Sequence, residues 1–218
     1  MGAYPKIGIV IGLDGLGKTP LLELMADLDD RVEVRQLVPD PTDKSLADPL
    51  VLGMQEVHLW EMSREDRIFL YDRFPWPDDW VYSSLNGHRN TWRGAPGSKH
   101  QILESRLLAH QVRFVYVEPP PWKEYVRKQI AEPDRLMTLD ALREAYVKYR
   151  TFVDDYRRRK LPLRVEKARF FTKQDAIDIL DWISPDRSEI VTGQLCPVCD
   201  ALMYWSRGQS FCPECPAP

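Results

Sequence analysis

Apolar strand-like runs alternating with helical stretches, a glycine-rich turn directly after the first run, and two Cys-x-x-Cys pairs near the C-terminus predict the architecture. They point to an α/β fold: a five-stranded, mainly parallel sheet with helices on both faces, followed by a small four-cysteine zinc ribbon. Residues 1–185 are expected to form the main domain, and residues 186–218 a linker and the ribbon. A chain of 218 residues suits one full domain with a small appendage, at about 150 residues per domain. With 44% hydrophobic and 29% charged residues, wholesale disorder is excluded.

The elements follow from period and breakers. Residues 6–11 are a buried strand, and residues 20–28 a helix with Pro20 near its start. Residues 31–38 alternate apolar and polar as a second strand, broken by Pro39-Asp40-Pro41. Residues 50–62 have helical spacing, residues 67–71 form a third strand ending at Asp72-Arg73, and Phe74-Pro-Trp-Pro77 closes it as an irregular turn. Residues 86–98 read as an exposed loop, 99–110 as a helix and 112–117 as the fourth strand, stopped by Pro119-Pro-Pro121. Helices over 122–130 and 139–159, a fifth strand at 163–165 and an amphipathic helix over 172–183 complete the domain, with residues 184–192 as the linker.

Gly12-Leu-Asp-Gly-Leu-Gly-Lys-Thr19 fits GxxxxGK[ST] and lies between a predicted strand and a predicted helix. Glycines at 12, 15 and 17 let backbone N–H groups turn inward around phosphate, Lys18 reaches the terminal phosphates, and Thr19 can ligate Mg²⁺. ATP and Mg²⁺ are the expected cofactors. The second half of such a site is an acid ending a neighbouring strand. Ile68-Phe-Leu-Tyr-Asp72 supplies it, with Asp72 holding Mg²⁺ directly or through water and Arg73 entering the same crevice.

On these residues the chain resembles the thymidylate kinase and deoxynucleoside kinase group of P-loop kinases, over about residues 5–183. The glycine loop is similar to the thymidylate kinase loop with an acid at its third position. The resemblance implies that Asp14 contacts the 3′-hydroxyl of the acceptor sugar. Asp72-Arg73-Phe74 matches the group's Asp-Arg-aromatic motif, which implies that Arg73 holds the acceptor phosphate, and Ser83-Ser84 stands where that motif often continues. Residues 122–138 correspond to a lid. In support, residues 122–160 carry 11 Lys or Arg against 7 Asp or Glu, in a chain of net charge −3. A closing segment that brings arginine to the moving phosphoryl group stabilises its charge and excludes water. Arg127 and Arg135 are the candidates, with Lys128 behind them, while Arg157 to Lys160 suit a helix C-terminus. The helix of residues 50–62 departs from the thymidylate kinase pattern. It lacks the base-reading Arg and offers Gln55, His58 and Trp60, which leaves the base open. Trp76, Trp80, His88, Arg89, Trp92 and Arg93 follow the third strand. Arg89 and Arg93 can meet a phosphate, and the tryptophans either stack on a base or pack the segment onto the sheet.

The expected reaction is ATP-dependent phosphoryl transfer to a deoxynucleoside monophosphate. The alternative acceptor is a hydroxyl, on a free deoxynucleoside or on a modified base or end in DNA, with Asp40 or Asp72 as base. A nucleotide-binding switch or adaptor is a third class. Against it, the sequence has no Asn-Lys-x-Asp motif.

All four cysteines fall in Cys196-Pro-Val-Cys199 and Cys212-Pro-Glu-Cys215, two tight turns whose thiolates suit a closed, structural tetrahedral Zn²⁺ site. Residues 186–218 hold Arg187 and Arg207 against Asp186, Glu189, Asp200 and Glu214, which disfavours tight binding to a nucleic-acid backbone. A structural or homodimer-contact role is expected for the ribbon, and nucleic acid is a partner only if the substrate is DNA. The longest apolar runs fall far short of the ~20 residues of a bilayer span, and the N-terminus lacks a signal-peptide pattern. No membrane partner and a cytoplasmic location are expected.

Overall fold

The three central apolar runs become strands because they are covered on both sides. β1 (Lys6–Ile11), β3 (Ile68–Asp72) and β4 (Arg113–Glu118) are buried over nearly their whole lengths, whereas β2 (Val32–Arg35) and β5 (Leu163–Lys167) are half-buried edges. This computed structural model describes residues 5–37, 48–63, 66–82, 97–131, 138–185, 190–195, 202–206 and 209–211. The five strands form one sheet in the order β2-β3-β1-β4-β5, with every pairing parallel.

The helices are α1 (Lys18–Ala26), α2 (Pro49–Met62), α3 (Pro75–Val81), α4 (Lys99–Ala109), α5 (Trp122–Ala131), α6 (Leu139–Arg158) and α7 (Lys173–Ile183). α1 packs with α7, while α2, α3, α4 and α6 pack with one another. The crossover from β1 to β2 runs outward in the sheet, and the connection from β3 to β4 runs the opposite way. Right-handed crossovers therefore put the two helix groups on opposite faces, with a crevice where the directions diverge. Asp48, Ser98, Thr138 and Thr172 cap α2, α4, α6 and α7 through their side chains.

Three boundaries differ from the sequence reading. α1 begins at Lys18 and so accepts Pro20 in its first turn. The turn expected over residues 74–77 runs into α3. Trp76, which precedes Pro77, keeps an extended ψ of 123°, and the helical residues follow it. The expected linker gives way at Ile190 to β6 (Ile190–Leu195), which pairs antiparallel with β7 (Leu202–Ser206). β8 (Gln209–Phe211) completes a three-stranded sheet. Among the described residues no helix is long and apolar enough to cross a membrane.

A buried polar chain ties α2 to the sheet. Trp60 Nε1 donates to the Tyr71 hydroxyl at 2.7 Å, that hydroxyl donates to Glu56 Oε1 at 2.5 Å, and Arg35 Nη1 donates to the same carboxylate at 2.6 Å. Trp60 and Tyr71 are completely enclosed, so Trp60 belongs to the core and is not free to read a base. Tyr71→Phe leaves the indole N–H and one carboxylate position unsatisfied, and is expected to cost about 1–3 kcal/mol. Urea denaturation checks this: an unchanged midpoint would show that the hydroxyl carries no weight in the fold.

Candidate active site

The glycine loop takes its shape from positions where a side chain has no room or the wrong backbone. Gly12 has φ 141°, and a Cβ there would sit 2.7 Å from the carbonyl oxygen of Val117 on β4. Gly17 has φ 81° and caps α1 without any side-chain hydrogen bond, and the first turn of α1 contains no acid. Its free N–H groups and helix dipole therefore favour an anion at this end. Lys18 is buried, and its ammonium donates to the carbonyl of Leu13 at 2.8 Å. Burial and the nearby Arg73 lower its pKa, against the pull of Asp14, Asp72 and Asp78.

β1 and β3 lie side by side, with Val10 opposite Asp72 and the Arg73 amide donating to Val10 O at 3.0 Å. This delivers the carboxylate to the loop: Thr19 Oγ1 donates to Asp72 Oδ2 at 2.6 Å. A hydroxyl and a carboxylate so joined are hard oxygen donors of the kind that can hold Mg²⁺.

Arg73 follows in a left-handed conformation, φ 70°, a backbone that costs a non-glycine residue about 1–3 kcal/mol and recurs at ligand sites. Its guanidinium Nη2 pairs with Asp14 across the crevice, and its Nε lies 3.6 Å from Asp78 Oδ2 on α3. The guanidinium carbon also stands 5.0 Å from the Tyr82 ring centre. Burial works against the charge, yet Asp78 and the neighbouring groups hold the Arg73 pKa above its ordinary value. The Tyr149 hydroxyl of α6 donates to Asp78 Oδ1 at 2.7 Å. Burial pushes Asp78 up to about 6, against the opposing effects of Arg73 and Tyr149.

The structure thus brings together Gly12, Asp14, Gly15, Gly17, Lys18, Thr19, Asp72 and Arg73, all named from sequence. Arg127 lies on the exposed side of α5, and Lys128 beside it stands 3.9 Å from Glu124. α5 is anchored to the loop by Tyr125, whose buried side chain donates to the carbonyl of Asp14 at 3.0 Å. Trp76 and Trp80 are buried and pack their segment onto the core. Asp40, Arg89, Arg93, Arg135, Cys196, Cys199, Cys212 and Cys215 lie outside the described residues, as do Ser83, Ser84, His88 and Trp92.

Sequence reasoning did not name Asp78, Tyr149 or Tyr125, nor residues 168–171 after β5. In that segment Arg169 O and the Phe171 ring lie 3.5 and 3.8 Å from the place of a Cβ on Gly17, forming a side wall beside the start of α1. The only sequence signal at Asp78 is a pair of acids six and seven residues beyond Asp72.

No protein-family model matches the chain, and no curated protein matches it. Solved structures do. A Bacillus subtilis protein, YorR, in complex with phosphorylated GDP is 14% identical with a TM-score of 0.57, over 82% of this chain and 95% of that one. Thymidylate kinase from Candida albicans is 12% identical with a TM-score of 0.52, over 85% of this chain and 93% of that one. These likenesses establish that the chain has the α/β fold of a thymidylate kinase, with its five-stranded parallel sheet.

Gly12→Ala sets a methyl against the Val117 carbonyl and forces an unfavourable φ, so it is expected to destabilise the domain by about 2 kcal/mol or more. A thermal or urea midpoint equal to that of the native chain would contradict this geometry.

Proposed function

We propose that the chain is an ATP-dependent kinase that transfers the γ-phosphoryl group to a deoxynucleoside monophosphate, giving the diphosphate. The observation that carries this reading is the Asp14–Arg73 pair spanning the crevice beside the glycine loop, with Thr19 and Asp72 joined at its edge. Donor phosphates lie in the loop, with Lys18 at the terminal phosphates and residues 168–171 beside α1. Arg73 receives the acceptor phosphate, exchanging one anionic partner, the Asp14 carboxylate, for another. The fold's likeness to a thymidylate kinase supports the same assignment.

Thr19 and Asp72 would hold Mg²⁺, which supplies charge neutralisation at the transferred group when bound. The rest is positioning. Arg73 orients the acceptor so that a phosphate oxygen attacks in line; the new P–O bond forms as the bond to the β-phosphate oxygen breaks. Lys18 stabilises the charge left behind, and the basic lid with Arg127 and Arg135 shields the group from water. A phosphate oxygen is already anionic, so no carboxylate base is needed. A hydroxyl acceptor would need one, with Asp40 or Asp72 as the candidates, and of these the Asp72 carboxylate already accepts from Thr19.

For the tail we propose a structural Zn²⁺ held by Cys196, Cys199, Cys212 and Cys215. The strand register supports it: Leu195 pairs with Leu202 and Phe211 with Tyr204, so β6 and β8 both leave their sheet at the end where β7 begins. Each Cys-x-x-Cys pair starts at the next residue. Four thiolates suit Zn²⁺ in a closed tetrahedral site.

Two measurements test these readings. ATP consumption with Mg²⁺ is expected to require one of the deoxynucleoside monophosphates, and to vanish in Lys18→Ala. Turnover only with free deoxynucleosides or DNA would reassign the acceptor, and slow acceptor-independent hydrolysis would favour a switch. Elemental analysis is expected to find about one zinc per chain, lost in Cys196→Ser combined with Cys212→Ser. A metal-free native protein would contradict the ribbon.

A further inference from the structure

Arg73 stands between two carboxylates of unequal freedom. Asp14 belongs to the loop and its side chain is 53% exposed, open to exchange with an incoming anion. Asp78 belongs to α3, is 14% exposed, and is fixed from the far side by the Tyr149 hydroxyl of α6 at 2.7 Å. It faces the Nε edge of the guanidinium, whereas Asp14 takes Nη2. The two acids therefore use different edges of one planar fork.

We propose that Asp78 is the positioning residue for acceptor binding: its carboxylate, fixed by Tyr149, holds the Nε edge of Arg73 so that the Nη edge is presented to the acceptor phosphate. The inference rests on the kinase reading and adds to it a residue that motif and resemblance do not supply. Without a charge at position 78, Asp14 is the remaining carboxylate on Arg73 among the described residues, and the guanidinium is drawn toward the loop. The acceptor phosphate must then compete for an arginine that is no longer held in place.

The charged and titratable groups that act on Asp78 come from several elements. Arg73 follows β3, Asp14 lies on the loop, Lys18 on α1, Tyr149 on α6 and Tyr82 at the end of α3. Asp79, its chain neighbour, is engaged elsewhere, 2.9 Å from His100 Nε2. Burial raises Asp78 to about 6, while Arg73, Tyr149 and Lys18 act to lower it and Asp14 to raise it. The carboxylate is charged above that pH and holds the guanidinium; below it, the neutral acid does not. The acceptor phosphate also titrates near pH 6, so the variant-to-native ratio, in which the substrate's own titration cancels, is the informative quantity.

The test compares native protein, Asp78→Asn and Tyr149→Phe, each checked for a native-like circular dichroism spectrum, with the monophosphate that the native protein phosphorylates. Asp78→Asn is expected to raise the acceptor KM about tenfold at pH 8, with a smaller change in kcat and in the KM for ATP. The ratio of acceptor KM values is expected to fall toward one by pH 5, as the native protein loses the same charge. Tyr149→Phe keeps the carboxylate but removes its donor, and is expected to move the midpoint of that fall upward by about one pH unit. A ratio near one at pH 8, or one independent of pH, would overturn the proposal. If no monophosphate is phosphorylated, the kinase reading fails by itself. The coupling is then read from the Arg73 Nε resonance, assigned with Arg73→Lys. A titration near pH 6 that disappears in Asp78→Asn upholds the coupling, and identical behaviour in both overturns it.

Discussion

The parallel pairing of β1 with β3 is the constraint on which the site depends. It sets Val10 opposite Asp72 and lets the Arg73 amide bond to Val10, so that two segments separated by more than fifty residues meet at the carboxyl end of the sheet. Side chains alternate along a strand, so a slip of one residue would turn Asp72 from Thr19 and aim Tyr71 at the loop. The burial of Ile68, Phe69, Leu70 and Tyr71 opposes any such slip. The hydrophobic core thus enforces the register, and the register enforces the Thr19–Asp72 and Asp14–Arg73 contacts.

Charge around the crevice is unequal. Asp14, Asp72 and Asp78 face Lys18 and Arg73, and burial drives Lys18 and Asp78 toward their neutral forms. A polyphosphate entering such a site gains from the α1 N-terminus and from a divalent ion carried with it, since two basic side chains alone do not outweigh three carboxylates.

Much of this was legible in the amino-acid sequence because glycines and strand ends carry local signals. Gly12, Gly15, Gly17, Lys18 and Thr19 announce their loop by spacing, and Asp72-Arg73 by its place after four apolar residues. Asp78, the second partner of Arg73, and the Tyr149 that fixes it were not legible in the same way. Asp78 hides in Pro-Trp-Pro-Asp-Asp-Trp, where the prolines read as breakers although α3 starts there, and Tyr149 looks like one more core position of α6. Their meeting is a tertiary event with no periodic trace. Trp60 illustrates the reverse: a residue noted on the helix where a base-reading Arg was expected proves to be a core donor, because Tyr71 on the adjoining strand accepts its N–H.

Phosphate as the acceptor is tested most directly by ³¹P NMR of the reaction products formed from ATP, Mg²⁺ and deoxynucleoside monophosphates. Transfer to a phosphate oxygen held by Arg73 predicts that the monophosphate signal declines as two diphosphates, ADP and that of the acceptor, form in equal amounts without inorganic phosphate. Inorganic phosphate and ADP as the only products, or a second phosphomonoester signal beside that of the unconsumed monophosphate, would contradict it.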